Sequence, residues 1–224
     1  MARFVTTAFY LALFTLPAAK AAAQTCVGTA SFASGSVRLG AGIDFAKDAK
    51  QYAAQLAFGK AGGPFAAGSI GRVDVDDTDE SATSFGGELG YSLNVAERGS
   101  LEVCPILGIG YASADVSEGG FSVDISTRAL SAGFAIGGVA SSSPTFAFVP
   151  SVSLAYVNQN IKSEGAIEFD ESDDFGVITL AAGFVFNQRV TLRPNFAFPV
   201  GLDDSDPTYG VGISFNFGSP SANR

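Results

Sequence analysis

The chain has 224 residues, no histidine, and a formal net charge of -9 from 13 basic against 22 acidic side chains. That balance excludes nucleic acid as a natural partner, because phosphate recognition needs a basic footprint. Hydrophobic residues make up 47 % and charged ones only 16 %, with 27 glycines, so the chain is greasy and its grease must be accounted for.

The first segment, MARFVTTAFYLALFTLPAAKAAAQ, carries Arg3, an apolar run from Phe4 to Leu16, Pro17 and small residues at Ala21–Ala23. This is the pattern of a secretory signal peptide over residues 1–23, with Gln24 opening the mature chain. The apolar run is shorter than the ~20 residues a membrane helix needs, and no later run reaches that length. Residues 24–34 are expected to form a periplasmic N-terminal segment. In an exported chain two cysteines imply a disulfide between Cys26 and Cys104, expected on the periplasmic side. The other use of Cys26, lipid attachment, is disfavoured because Gln24 and Thr25 precede it where small residues are required.

Period-two alternation then marks ten segments bounded by turn residues: 35–46, 51–60, 64–75, 82–94 and 100–113 in the first half. The second half gives 122–139, 145–158, 174–186, 189–200 and 208–218. A count of eight, with one hairpin misread, is the alternative. Pro105, Pro150 and Pro194 fall inside segments and predict bulges or local breaks. The segment 122–139 shifts phase: Val123 and Ile125 share one parity, while Leu130, Phe134 and Ile136 share the other. It either bulges near Arg128 or belongs partly to a longer loop.

Every second connection, beginning with the third, is acidic, and these four with the flanking Asp74, Asp124 and Asp174 hold 17 of the 22 carboxylates. If segments run up and down, the chain has an acidic rim and a short-turn end that carries both termini. Tyr52, Tyr111, Tyr156 and Tyr209 then fall near the rim. Phe58, Phe65, Phe146, Phe148, Phe184, Phe186, Phe215 and Phe217 fall near the other end, like two interfacial girdles.

The chemistry of the less apolar face decides which side meets lipid. It is mostly Gly, Ala, Ser and Thr, and its few charges come in both signs: Arg38, Asp44, Arg72, Glu88, Glu102 and Arg193. A water-facing surface would be rich in charge, whereas a crowded barrel interior suits small residues and paired ions. The apolar face carries no charge, as lipid requires. The expectation is an all-β, closed, antiparallel up-and-down transmembrane β-barrel over residues 35–218, followed by a tail, 219–224. A soluble secreted β-sandwich is the alternative.

The last segment, YGVGISFNFG, fits the pattern polar-x-Gly-x-x-Φ-x-Φ, where Φ is apolar or aromatic, through Gly212, Phe215 and Phe217. On this motif and the architecture the chain resembles the small bacterial outer-membrane β-barrel proteins, the broad OmpA-like and OmpX-like group. The resemblance implies residence in the outer membrane of a Gram-negative bacterium, contact with outer-membrane lipid, and recognition of that motif by the barrel assembly machinery.

Enzymes of this architecture rely on histidine as acid or base, and this chain has none, so no catalytic residue is assigned and no cofactor is required. A stretch around Asp74, Asp76, Asp77 and Asp79 fails the EF-hand spacing, with Asp79 where glycine is needed and Phe85 where glutamate is needed. It leaves only a weak divalent-cation site among acidic loops. Two functions remain: a structural or surface-interaction barrel, and a narrow passive pore for small solutes or ions.

Overall fold

The computed structural model describes residues 25–30, 37–60, 62–75, 81–95, 101–118, 121–143, 145–165, 168–202 and 205–217. The expected signal peptide, the tail 219–224 and Asp76, Asp77 and Asp79 lie outside the described residues.

Alternating sequence with Gly and polar punctuation produces strands and tight turns in chain order. They are β1 (Val37–Ala46), β2 (Ala49–Gly59), β3 (Pro64–Val75), β4 (Ser81–Tyr91), β5 (Leu93–Asn94) and β6 (Leu101–Glu118). Next come β7 (Phe121–Gly138), β8 (Ser141–Ser142), β9 (Phe146–Gly165), β10 (Phe169–Phe186), β11 (Val190–Val200) and β12 (Thr208–Phe217). The two-residue β5 and β8 only lengthen the sheet beside β6 and β9, so the barrel has ten staves. Each stave pairs antiparallel with its neighbours, and β12 pairs with β1 to close the sheet.

Followed across the strands, the register runs from Leu39 through Leu56, Gly68, Gly87, Ile109, Leu130 and Asn158 to Asp174. In the other direction it runs through Phe215 and Val190 to Phe186. Positions 174 and 186 on β10 differ by 12 residues, which is the shear of the barrel. Ten staves with that shear tilt about 40° and enclose a backbone radius of about 10 Å. Each residue then climbs about 2.5 Å along the axis, so about ten residues cover an apolar band ~25 Å tall.

Six staves match that length, at 10 to 12 residues, but β6, β7 and β10 have 18 and β9 has 20. These four project past the band as a turret, built largely from residues expected to form acidic loops. The β6–β7 and β7–β9 registers run unbroken through Arg128, so the phase shift at 122–139 is not a bulge. Odd positions of β7 face inward throughout, from Ile125, Thr127 and Ala129 down to Ala135. Outward positions change from Asp124 and Arg128 in the turret to Leu130 and Phe134 in the band. The strand keeps its parity while its outward side chains change from charged to apolar and its inward ones from apolar to small.

Each expected proline break interrupts pairing on one side of its stave. Pro105 lies where β4 stops and β5 resumes in the same register against β6. Opposite Pro150, the pairing with β9 slips by one residue between Gly137↔Ser151 and Ser141↔Phe148. At Pro194 the β10–β11 ladder skips from Ala181↔Asn195 to Phe184↔Leu192. Proline has no N–H to give, so the break falls where its donor is missing.

The β10–β11 turn holds Asn187 and Gln188 at φ 50° and 56°, the left-handed pair that a type I′ turn requires. Glycine fits the second position without the steric cost that glutamine carries. Gln188→Gly is expected to stabilise the barrel by about 1 kcal/mol in urea unfolding from vesicles.

Candidate functional site

Inward parity gives the lumen three levels. Near the terminal end, the short 3-10 turn Thr25–Val27 and the residues after it lie inside the barrel, and Cys26 to Ala30 are all buried. The segment expected beneath the barrel therefore occupies its interior. Cys26 is bonded to Cys104, with Cα atoms 6.1 Å apart, and Cys104 is on the inner face of β6 beside Glu102. The disulfide lies in the lumen and not below it. Wall residues Ala57 and Ala135, too small to fill the bore, leave room for Cys26 and Val27 to pack there.

Arg38 on β1 holds this segment. Its Nε donates to Asn216 Oδ1 at 2.7 Å, Nη1 donates to Thr29 Oγ1 at 2.6 Å, and Nη2 donates to the Ala30 carbonyl. The planar guanidinium suits this task because its fork addresses several acceptors at once.

The middle level is polar. Of the six expected lumen charges, Arg38, Asp44, Glu88, Glu102 and Arg193 are buried and face inward. Asn195 Nδ2 donates to Asp44 Oδ1 at 3.3 Å, and Arg193 has Asp44 and Glu88 as its opposite charges. Both Glu88 carboxylate oxygens and Arg193 Nε lack a hydrogen-bond partner among the described residues. A cavity of about 50 Å3 lies here, lined by Asp44, Gln55, Ser69, Arg193, Asn195 and Ser214. It holds a few waters at most, given the ~10 to 15 Å3 each requires.

Arg72 departs from the expectation. It points outward with 65 % of its side chain exposed, and its Nε contacts Asp74 Oδ1 at 2.6 Å. The physical reason is the same change along the stave: near the rim Val73 and Val75 fill the inner face, and Arg72 and Asp74 pair on the exposed outer one. Asp74, the one described member of the expected divalent site, is in that ion pair. Phe65 also departs, because it points inward and its ring fills the space where a side chain at position 90 would be.

The upper level is apolar. Ala49, Val73, Val75, Ala82 and Ala114 cluster on one wall, while Ala129, Val157, Phe175, Val177 and Ala197 cluster on the other with Leu202 against them. Ile125 and Ile161 line the turret interior above them, with Val123 and Phe169.

Outside, Tyr52, Tyr111, Tyr156 and Tyr209 are exposed near the top of the band, and Tyr209 stacks on Phe45 at 5.4 Å. Below, Phe148 pairs with Phe184 at 5.5 Å and Phe146 with Phe186 at 5.7 Å. Phe215 and Phe217 face outward at the same lower level, while Gly212 lines the lumen.

The turret's outer face is a lattice of amides and carboxylates. Asn158 Nδ2 donates to Asp174 Oδ1 at 2.8 Å, Asn160 Nδ2 donates to Asp170 Oδ1 at 2.6 Å, and Lys162 Nζ is 3.0 Å from Asp170 Oδ2. The Asn160 bond and the Lys162 contact hold Asp170 below the usual carboxylate range. At the tip, Asp115, Asp124 and Glu164 are register neighbours on three strands. A hydrogen bond with Asp115, then charge repulsion from Asp115 and Glu164, raises Asp124.

These shifts act with opposite sign. Asp170 contributes stability above its unfolded pKa, and that contribution is lost as pH falls through its lowered folded value. Asp124 is favourable at acid pH, and the tip loses stability as pH rises through its raised value. Asp124→Asn is therefore expected to slow amide exchange at the β6–β7 tip at neutral pH. The difference should vanish well below the carboxylate range.

No protein-family model matches this chain, and no curated protein sequence matches it. Among solved structures, the β domain of the Bordetella autotransporter BrkA is similar, with 12 % identity and a TM-score of 0.50 over 81 % of this chain and 98 % of that one. The N-terminal β-barrel domain of Pseudomonas aeruginosa OprF gives 13 %, 0.39, 82 % and 98 % by the same measures. The NanC porin gives 10 %, 0.42, 81 % and 100 %. At such identities the likeness is one of fold, and the chain is a closed ten-stranded antiparallel β-barrel.

Proposed function

We propose that this protein is an outer-membrane barrel of the OmpA-like and OmpX-like kind, exported by its N-terminal signal, with a structural or surface-interaction role carried by the turret. The observation that carries the reading is the change of outward residues along unbroken strands, from Leu130 and Phe134 to Asp124 and Arg128 on β7. Lipid explains the first pair and water the second, so the four long staves stand clear of the bilayer. Gly212, Phe215 and Phe217 serve as the assembly signal. The acidic rim meets divalent cations in the surrounding medium, and the turret face of Asn158, Asn160, Lys162, Asp170 and Asp174 presents polar groups to partners outside the cell.

A permanently open pore fits less well, because Cys26 to Ala30 fill the lower lumen. The test of the reading is whole-cell labelling of Asn160→Cys with a membrane-impermeant maleimide. Labelling on intact cells, with the protein in the outer-membrane fraction, is the expected result. Labelling only after lysis would overturn the orientation, and recovery in a soluble fraction would overturn the membrane reading.

A further inference from the structure

We propose that Cys26–Ala30 is a stopper that closes a latent channel through the barrel; the inference rests on the membrane-spanning reading above. Five residues reach walls on every side of the bore. Cys26 and Val27 pack with Ala57, Phe65 and Ala135 on β2, β3 and β7, and Cys26 is bonded to Cys104 on β6. Ala30 packs against Val149 and Val185 on β9 and β10, and its N–H is given to Thr191 Oγ1 on β11 at 3.3 Å. Thr29 receives Arg38 from β1. Eight of the ten staves therefore touch this segment.

The wall is shaped for it. A Cβ placed on Gly183 would strike the Gly28 carbonyl, and one placed on Gly28, at φ 72°, would strike Ser151 Oγ. The small inward residues at the terminal end are thus small because peptide runs against them. In a bore of about 10 Å backbone radius, one peptide crossing is enough to occlude the passage once side chains are counted. The apolar residues above it fall into separate clusters on opposite walls. They do not form one core across the bore, and the polar level below them holds a cavity beside Asp44, Arg193 and Asn195, so the barrier packed from wall to wall is the stopper with the residues seated on it.

Two fasteners of different chemistry hold it, the Cys26–Cys104 bond and the Arg38 fork. The stopper should leave its seat when its own fit is spoiled, and move freely when the disulfide is also reduced to two thiols by an added dithiol that is itself oxidised.

Single-channel recording in planar bilayers tests this on the refolded full chain, on Gly183→Val, and on Gly28→Val, each before and after dithiol treatment. Insertion is monitored by band shift on unboiled gels and by co-flotation with vesicles. The unmodified chain is expected to be silent while oxidised. Both variants are expected to give steady conductance steps that become more frequent after reduction. Inserted variants that stay silent after reduction would overturn the stopper, as would an oxidised unmodified chain that conducts as steadily as they do. If the valine variants fail to insert, a chain lacking residues 25–30 with Cys104→Ser replaces them, with the same two outcomes. An unmodified chain that never floats with vesicles would instead contradict the membrane reading itself.

Discussion

Val152→Arg is expected to cost about 2 to 4 kcal/mol in urea unfolding from lipid vesicles, while Asn158→Arg, six residues further along the same face of β9, should cost almost nothing. Val152 faces outward between Ile136 and Leu180, its register neighbours on β7 and β10, and all three lie in the apolar band. An arginine there must leave its charge in hydrocarbon or drag water in to meet it. Asn158 faces outward too, at the upper edge of the band between Leu130 and Asp174, and Asp174 accepts its hydrogen bond at 2.8 Å. Arginine replaces that bond with an ion pair in water, a near-neutral exchange. Ile161→Arg closes the comparison: Ile161 is only 3 % exposed inside the turret, so a charge there is expected to destabilise the turret although the position lies beyond the lipid. Equal costs at 152 and 158 would mean that both face the same medium.

Arg38→Ala is expected to cost about 3 kcal/mol or more, since bonds from a charged donor contribute ~1.5 to 3 kcal/mol each and the substitution removes those to Asn216, Thr29 and the Ala30 carbonyl in a buried setting. Arg38→Lys should recover less than half of the loss, because an ammonium on a single stem cannot address acceptors on β12 and on two successive residues of the stopper together. Both variants should also shorten the survival of residues 25–30 against protease added from the terminal side. A full rescue by lysine would mean that charge alone, without the fork, holds the segment.

The staves were legible in the sequence because alternation is a property of backbone geometry, and ten alternating segments separated by turn residues leave few other folds. Alternation does not report what lies outside each face. On β7 the apolar residues move from Leu130 and Phe134 to Val123 and Ile125 because the outer medium changes, which in a single sequence looks like a bulge. The same ambiguity placed Arg72 in the lumen and cut β9 and β10 short. The stopper was hidden for another reason: Cys-Val-Gly-Thr-Ala has no period, and apart from Arg38 its partners stand far along the chain. Two signals pointed to it. Cys104 shares its parity with Glu102, which already belonged to the inner face, so a disulfide at Cys104 had to be inside. The run of small inward residues, among them Ala57, Ala135, Ser151 and Gly183, required something to fill the space they leave.

Spin labels placed singly along β9 test the central claim most directly, since oxygen partitions into hydrocarbon and a polar nickel chelate stays in water. Labels at 152 and 154 should be relaxed by oxygen, labels at 158, 160 and 162 by the chelate, and labels at 153 and 161 weakly by both. Oxygen dominance persisting through 158 to 162, or chelate access at 152 and 154, would contradict the change of medium along these unbroken strands.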